Sequence, residues 1–344
     1  MKSLELYSQK DIKQITRTRT NEIKIGEDVF VLKSLNNWEE ELQNLNCKYV
    51  LLGIPEDIGV KANYGRGGAH TAWKPALDSF LSQQSNEFLN GKDICVLGNV
   101  FVDDVMEKSN MLNVKNKNEM TEMRNLVSIV DKRVSEIIEK IVRCKKIPIV
   151  VGGGHNNSYP IIKGCSLALA TKLNVINCDP HTDFRPLEGR HSGNGFSYAY
   201  QENYINNYSV FCMHEQYNTA SVLNDFTKSN NHLYYSTYED VFVRENKTFS
   251  DTLNNNIGFV KNTVCGVEID LDAITNVPSS AKTSSGISPV QARQYAYQCG
   301  KQLNPLYLHI AEGAPILSHI KADNKTGKLI AYLITDFMKG VNDK

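Results

Sequence analysis

The 344-residue chain has no excess of either charge, since 38 Lys and Arg are matched by 38 Asp and Glu. With no basic surplus to hold a phosphate backbone, no nucleic-acid partner is expected. Long apolar runs are also missing. KYVLLGIP at 48–55 and IPIVV at 147–151 fall far short of the roughly 20 residues that span a bilayer, so no membrane partner is expected. The N-terminal MKSLELYSQKDIKQ lacks the basic and then apolar run of a secretory signal, and the expected location is cytoplasmic. The eight cysteines, at 47, 95, 144, 165, 178, 212, 265 and 299, form no CxxC pair. That excludes a zinc ribbon or a tight disulfide framework, and the cysteines read as reduced core thiols. Gly65-Arg-Gly-Gly is not the GxGxxG of a dinucleotide-binding turn, which argues against a dehydrogenase. No internal repeat and no Pro/Gly/Ser linker divides the chain.

What the sequence does contain is a series of short apolar, β-branched runs ending in Gly, Asp or Pro: KYVLLGIP, ICVLG (94–98), IPIVVGGG, LNVINCDP, TVCGVEIDLD and YLHIAEG. Helical stretches lie between several of them. In residues 119–143, Leu126, Ile129, Val130, Val134, Ile137, Ile138 and Ile141 recur at three-and-four spacing and form one apolar face. Segments 156–172 and 289–303 carry weaker versions of the pattern. Apolar strands alternating with helices predict an α/β fold with a mostly parallel sheet covered on both faces. Residues 1–45 show no clear strand and read as an N-terminal extension, and residues 46–344 read as a single α/β domain. Asn-rich stretches near 114–118, 204–207, 229–231 and 253–256 are expected to be surface loops.

Three polar motifs close apolar runs. In Asp179-Pro-His181-Thr-Asp183, strand-like alternation turns two carboxylates and an imidazole to one side. In Glu268-Ile-Asp270-Leu-Asp272, the two aspartates share a side in the same way. Gly152-Gly153-Gly154-His155 permits a tight turn with a histidine at its end. Strand carboxyl ends are where an open α/β sheet binds ligands. Acceptor-rich side chains gathered there are costly without a cation. His155, Asp179, His181, Asp183, Asp270 and Asp272 suit a pair of divalent ions, with four carboxylates balancing two dications. Ions roughly 3.5–4 Å apart lower the pKa of a shared water, so the implied chemistry is hydrolysis.

The ordered set GGGH, DPHTD and EIDLD resembles the ureohydrolase superfamily of arginase, agmatinase and formimidoylglutamase, whose motifs read approximately GG-D/G-H, DAHxD and SxDxD. The resemblance covers about residues 48 to 336. It implies an arginase-like three-layer α/β/α fold and two Mn2+ per subunit hydrolysing a carbon–nitrogen bond of a guanidino or formimidoyl group. It also implies His155 on one ion and His181 on the other, Asp183 as the proton-relaying catalytic carboxylate, and Glu312 in HIAEGAP facing the substrate's planar cation. A bidentate carboxylate suits such a cation. Ser192-Gly-Asn194 resembles the family's specificity loop, placing Ser192 and Asn194 among substrate contacts. Homo-oligomers, trimers or hexamers, are usual in the family.

Three departures narrow the reading. Gly154 replaces an Asp usual in arginases and agmatinases, a variant that resembles formimidoylglutamases. Phe196 stands where the arginase loop usually carries His, and His191 precedes the serine instead. Glu268 occupies the family's usual Ser position. A substrate with two carboxylates calls for arginines, and Arg66, Arg185 and Arg190 are the candidates. The sequence therefore points to a manganese hydrolase that converts N-formimidoyl-L-glutamate to L-glutamate and formamide, a step of histidine breakdown. Its alternatives are a guanidino hydrolase releasing urea and a catalytically silent metal-binding homologue.

Overall fold

The computed structural model of the chain describes residues 3–229, 231–318 and 324–343. Nine strands form one sheet: β1 (Leu4–Leu6), β2 (Tyr49–Gly53), β3 (Ile94–Val100), β4 (Ile147–Val151), β5 (Leu173–Cys178), β6 (Ile205–Met213), β7 (Leu233–Thr237), β8 (Val264–Asp270) and β9 (Asn304–Ala311). Their order is β1-β3-β2-β4-β9-β8-β5-β6-β7. Every pairing is parallel except that of β1 with β3. β4 and β5 follow one another in sequence but are separated in space by β8 and β9, which arrive last. The chain thus changes direction across the sheet between them, and a crevice opens above the carboxyl ends at such a switch point.

Alternation along the buried strands supplies both faces of the sheet. Tyr49 and Leu51 join the core on one side, where helices 73–81, 249–260, 289–302 and 325–342 pack, while Val50 and Leu52 join the core under helices 117–143 and 158–169. This is the expected three-layer α/β/α arrangement. Helices 289–302 and 325–342 approach closely through Gly300 and Gly340, since a Cβ on either would collide with the other helix's backbone. All eight cysteines are free, and Cys144 alone among them is less than fully buried.

The helix expected at 119–143 spans Lys117–Arg143, and its apolar face is buried except for Ile129, which is exposed at the edge of the stripe. Three expectations change. The N-terminal segment does contain a strand, β1, too short at three residues to show any periodicity. Residues 205–207 open β6, where Asn206 and Asn207 bond to Asn174 on β5. Residues 253–256 lie inside helix Phe249–Val260, where buried Asn256 bonds Ser209, Ser236 and the carbonyl of Thr252. Of the stretch 229–231, residue 230 lies outside the described residues. No helix among the described residues is long and apolar enough to cross a membrane.

Candidate metal centre

The sheet order brings the motifs together. β4, β9, β8 and β5 are consecutive neighbours, and their carboxyl ends carry His155, Glu312, the Asp270/Asp272 pair and the Asp179–Asp183 segment. The turn after β4 requires its glycines: Gly152 and Gly153 have φ of 90° and 75°, and a Cβ on Gly153 would strike the Asn157 side chain. The chain then enters a short helix that begins at His155.

His155 is wholly buried, and its Nδ1 lies 3.1 Å from Asp179 Oδ2, 3.0 Å from Asp183 Oδ2 and 3.3 Å from Asp270 Oδ2. Neither ring nitrogen has a partner in hydrogen-bonding geometry. One ligand atom from each of these four residues falls within a span of 4.8 Å, and a second such group joins His181, Asp270 and Asp272. Asp270 belongs to both groups and is the natural bridge, while Asp183 belongs to the first alone. The remaining carboxylate oxygens are oriented by backbone: His181 N–H donates to Asp179 Oδ1 (2.7 Å), Asp272 N–H to Asp270 Oδ1 (2.6 Å) and Ala281 N–H to Asp272 Oδ1 (3.0 Å).

The electrostatics describe a site that draws positive charge. Burial, and then the Asp272 charge, push Asp270 well above the usual carboxylate range; burial and then Asp179 push Asp183 upward. Burial opposes a proton on His155, yet Asp179, Asp183 and Asp270 together hold its ring well above the usual imidazole range. His181 is raised to about 10, against the effect of its burial, by Asp179. Oxygen-rich groups with one imidazole each, an orphaned buried imidazole and clustered carboxylates fit a pair of divalent ions.

Glu312 closes the site from β9. Its φ of +65°, like the +45° of Asp183, is a left-handed conformation uncommon outside glycine and found preferentially at functional sites. Its Oε1 accepts the His155 N–H at 2.7 Å, while Oε2 has no partner in hydrogen-bonding geometry. Burial, and then the Asp272 charge, raise this carboxyl to about 8. A cavity of about 520 Å³ opens over the cluster, lined by His181, Asp183, Asp270, Asp272 and Glu312 and also by Asn63, Arg185 and Ser192.

The expected substrate contacts separate. Arg185 lines the cavity, half-exposed, and donates to Asn63 Oδ1 at 2.9 Å; Ser192 lines it too and accepts from Asn63 Nδ2 at 3.2 Å. Arg66 sits at the rim, donating to the carbonyl of Ser280 (3.1 Å), a residue of the cavity wall. Arg190 and Asn194 do not line the cavity. Arg190 is buried between the rings of Tyr159 and Tyr198 and donates to Asp131, to Asn194 Oδ1 and to the carbonyl of Asn156. Asn194 in turn accepts from His191 N–H and donates to the carbonyl of Gly189, tying the loop to itself. Buried and hydrogen-bonded through every side-chain nitrogen, these two residues tie the loop that carries them to the turn that carries His155.

Glu56 went unread in the sequence and holds that turn from the opposite side. Its Oε1 accepts from Gly154 N–H (3.1 Å), Asn156 Nδ2 (3.1 Å) and Asn157 Nδ2 (2.6 Å), and its Oε2 from Ile58 N–H (2.7 Å). An acidic pair, Glu56-Asp57, directly after a strand and a proline was the available signal. Tyr217, stacked on His181 with ring centroids 5.4 Å apart, carried none.

Residues 47–339 match the model of the Arginase family. The chain is 28% identical over 316 residues to formimidoylglutamase of Legionella pneumophila (strain Lens), covering 87% of this chain and 88% of that one. It is 28% identical over 345 residues to formimidoylglutamase of Streptococcus gordonii, covering 96% of each. The crystal structure of formimidoylglutamase from Bacillus subtilis superposes with a TM-score of 0.74 at 16% identity, covering 96% of this chain and 95% of that one. Trypanosoma cruzi formiminoglutamase with Mn2+ superposes with a TM-score of 0.68 at 19% identity, covering 93% and 99%. With the family model spanning nearly the whole chain and the strand-end motifs meeting in one cluster, the protein belongs to the arginase family, hydrolases of amidine carbon–nitrogen bonds.

Proposed function

We propose that the chain is a binuclear manganese hydrolase whose substrate is N-formimidoyl-L-glutamate, released as L-glutamate and formamide. The observation that carries the reading is a cavity whose lining includes both the carboxylates Asp183, Asp270, Asp272 and Glu312 with the His181 imidazole and the hydrogen-bonded group Arg185, Asn63 and Ser192. The proposed ligands are His155, Asp179, Asp183 and Asp270 for one ion and His181, Asp270 and Asp272 for the other. When bound, a pair of divalent ions supplies an acidified water and polarises the amidine. Manganese is favoured by the oxygen-rich ligand sets and by its presence in the trypanosomal relative.

The protein's own groups do the rest. The free oxygen of Glu312 holds the planar amidinium in register. Asp183, at the cavity wall beside His155, passes a proton to the leaving nitrogen. Arg185 reads the glutamyl carboxylates, with Ser192 and Asn63 completing the polar wall; Arg66 contributes charge at the rim. Arg190 and Asn194 act by holding the loop in place.

The test is product identification with manganese-loaded protein given formimidoylglutamate, arginine, agmatine and guanidinoacetate in turn. Formamide and glutamate from the first substrate alone are expected. Urea from a guanidino compound would replace the substrate and keep the metal chemistry, because Glu312 suits a guanidinium equally well. No product from any of them at full metal occupancy would overturn the reading in favour of a silent homologue.

A further inference from the structure

The centre described above uses one side of the His155 ring. On its other side Nε2 lies 3.4 Å from Glu268 Oε2, close but not in hydrogen-bonding alignment. Glu268 is wholly buried on β8. Its Oε2 also accepts from Nδ1 of His309 at 2.6 Å, and its Oε1 accepts from the hydroxyl of Tyr307 at 2.7 Å. Both donors are buried residues of β9. His309 is the direct register partner of Glu268, and Tyr307 is the partner of Gly266, whose missing side chain leaves room for the tyrosine ring. Two adjacent parallel strands thus contribute alternate residues to a single polar column that ends at His155.

A further buried carboxylate beside the aspartates of the centre is expensive unless it is fully partnered. Here Tyr307 takes Oε1 and His309 one lone pair of Oε2, which leaves the other lone pair of Oε2 for the His155 imidazole. His155, Glu268 and His309 also lie close enough to form a ligand group of their own. The 2.6 Å between Glu268 and His309 argues for a direct hydrogen bond, because two ligands each about 2.1 Å from an ion stand about 3 Å or more apart.

Resting on the metal reading of the site, we propose that Glu268, clamped by Tyr307 and His309, is a positioning residue. A small turn of the imidazole lets Glu268 accept the Nε2 proton of His155, so that the Nδ1 lone pair is presented to an ion held among Asp179, Asp183 and Asp270 and the ring is held in the ligating orientation. A carboxylate behind a ligating histidine fixes its tautomer and strengthens its hold on the ion. Glu268 therefore sets the affinity of the His155 ion and leaves the His181 ion unaffected.

The experiment compares unaltered protein with Glu268→Gln and Tyr307→Phe. It measures manganese bound per chain by elemental analysis across a series of free Mn2+ concentrations, together with the Mn2+ paramagnetic resonance spectrum at partial loading. Unaltered protein should bind two ions and give the spectrum of a coupled pair. Glu268→Gln should weaken one ion by about 10- to 100-fold and leave the other unchanged, so that partial loading gives an isolated-ion spectrum. Tyr307→Phe should do the same to a smaller degree. Near-ultraviolet circular dichroism reports folding, and should the Gln variant not fold, the Phe variant carries the test. Two ions held equally by all three proteins, with a coupled-pair spectrum throughout, would overturn the role of Glu268 alone. No manganese bound by unaltered protein would overturn the metal reading itself.

Discussion

Arg190 with Asp131, and His155 with its ring of carboxylates, are two buried polar groups that share one loop and turn yet are built in opposite ways. Asp131 and Arg190 are 8% and 5% exposed and bind each other through two hydrogen bonds, while the rest of the guanidinium is taken up by Asn194 and the carbonyl of Asn156. Around His155 the carboxylates outnumber the imidazoles, and both ring nitrogens are without aligned partners. A buried charge whose hydrogen bonds are complete within the protein belongs to the scaffold. A buried cluster of like charge left incomplete is held there by the fold at a cost, and a ligand is what repays it.

The largest effect that would break this distinction concerns the scaffold pair. Arg190→Met should leave Asp131 buried without its cation and cost about 3–5 kcal/mol of stability, read by denaturant unfolding. Turnover per folded molecule should stay within a few-fold, and adding Asp131→Leu should restore most of the lost stability. A selective loss of substrate affinity instead would put Arg190 back among the substrate contacts. At the metal centre the sign reverses. Manganese at about 100 times its dissociation constant should stabilise the protein by about 2.7 kcal/mol per site, visible as a rise in melting temperature that a chelator reverses.

How much of this could be read from the sequence follows from the distances along the chain. Asp179, His181 and Asp183 lie within five residues at the end of an apolar run, so their meeting at one sheet edge was legible, but not its geometry: β5 stops at Cys178 and Asp183 has a left-handed φ of 45°, so a turn and not strand alternation aims them. Asp270 closes β8 as alternation expects, while Asp272 lies in the short helix that follows. Arg190, expected among the substrate contacts, lies off the cavity because it pairs with Asp131, 59 residues away on helix Lys117–Arg143. Local sequence shows that an arginine sits near a Ser-Gly-Asn turn, and says nothing of what waits on a distant helix. Glu268 is the intermediate case: alternation gave its side of β8, but Tyr307 and His309 become its partners only through the pairing of β8 with β9. The strands β6 and β7 were hidden by polar residues at Asn206, Asn207 and Ser236, which are satisfied by neighbours in the sheet or the helix above it.

A third site sharpens the comparison from the side of the rim. Asp57, buried beneath the loop that carries Asn63 and Arg66, accepts from Gly68 N–H (2.7 Å) and His70 Nδ1 (2.6 Å) and pairs with Lys61. Burial would raise its carboxyl, but His70 and Lys61 hold it at about 2. A folded-state value below the unfolded one contributes stability that is full above the unfolded pKa, about 3.9, and is lost as pH falls through the folded value. Asp57→Asn should therefore cost about 2 kcal/mol at pH 7. The difference from unaltered protein should shrink below about pH 4 and vanish only below the folded value, at about pH 1, in acid unfolding. The smallest effect is expected at Arg185, which is open to solvent. Arg185→Met should raise KM for formimidoylglutamate about tenfold, the loss of one charged hydrogen bond, with kcat little changed.

The most direct measurement is the manganese content of protein dialysed to equilibrium, for the unaltered chain and for Asp270→Asn. Asp270 is the one residue common to both ligand groups, so the account predicts two ions per chain in the first protein and loss of tight binding at both sites in the second. Two ions retained at unchanged affinity in Asp270→Asn, or none in the unaltered chain, would contradict it.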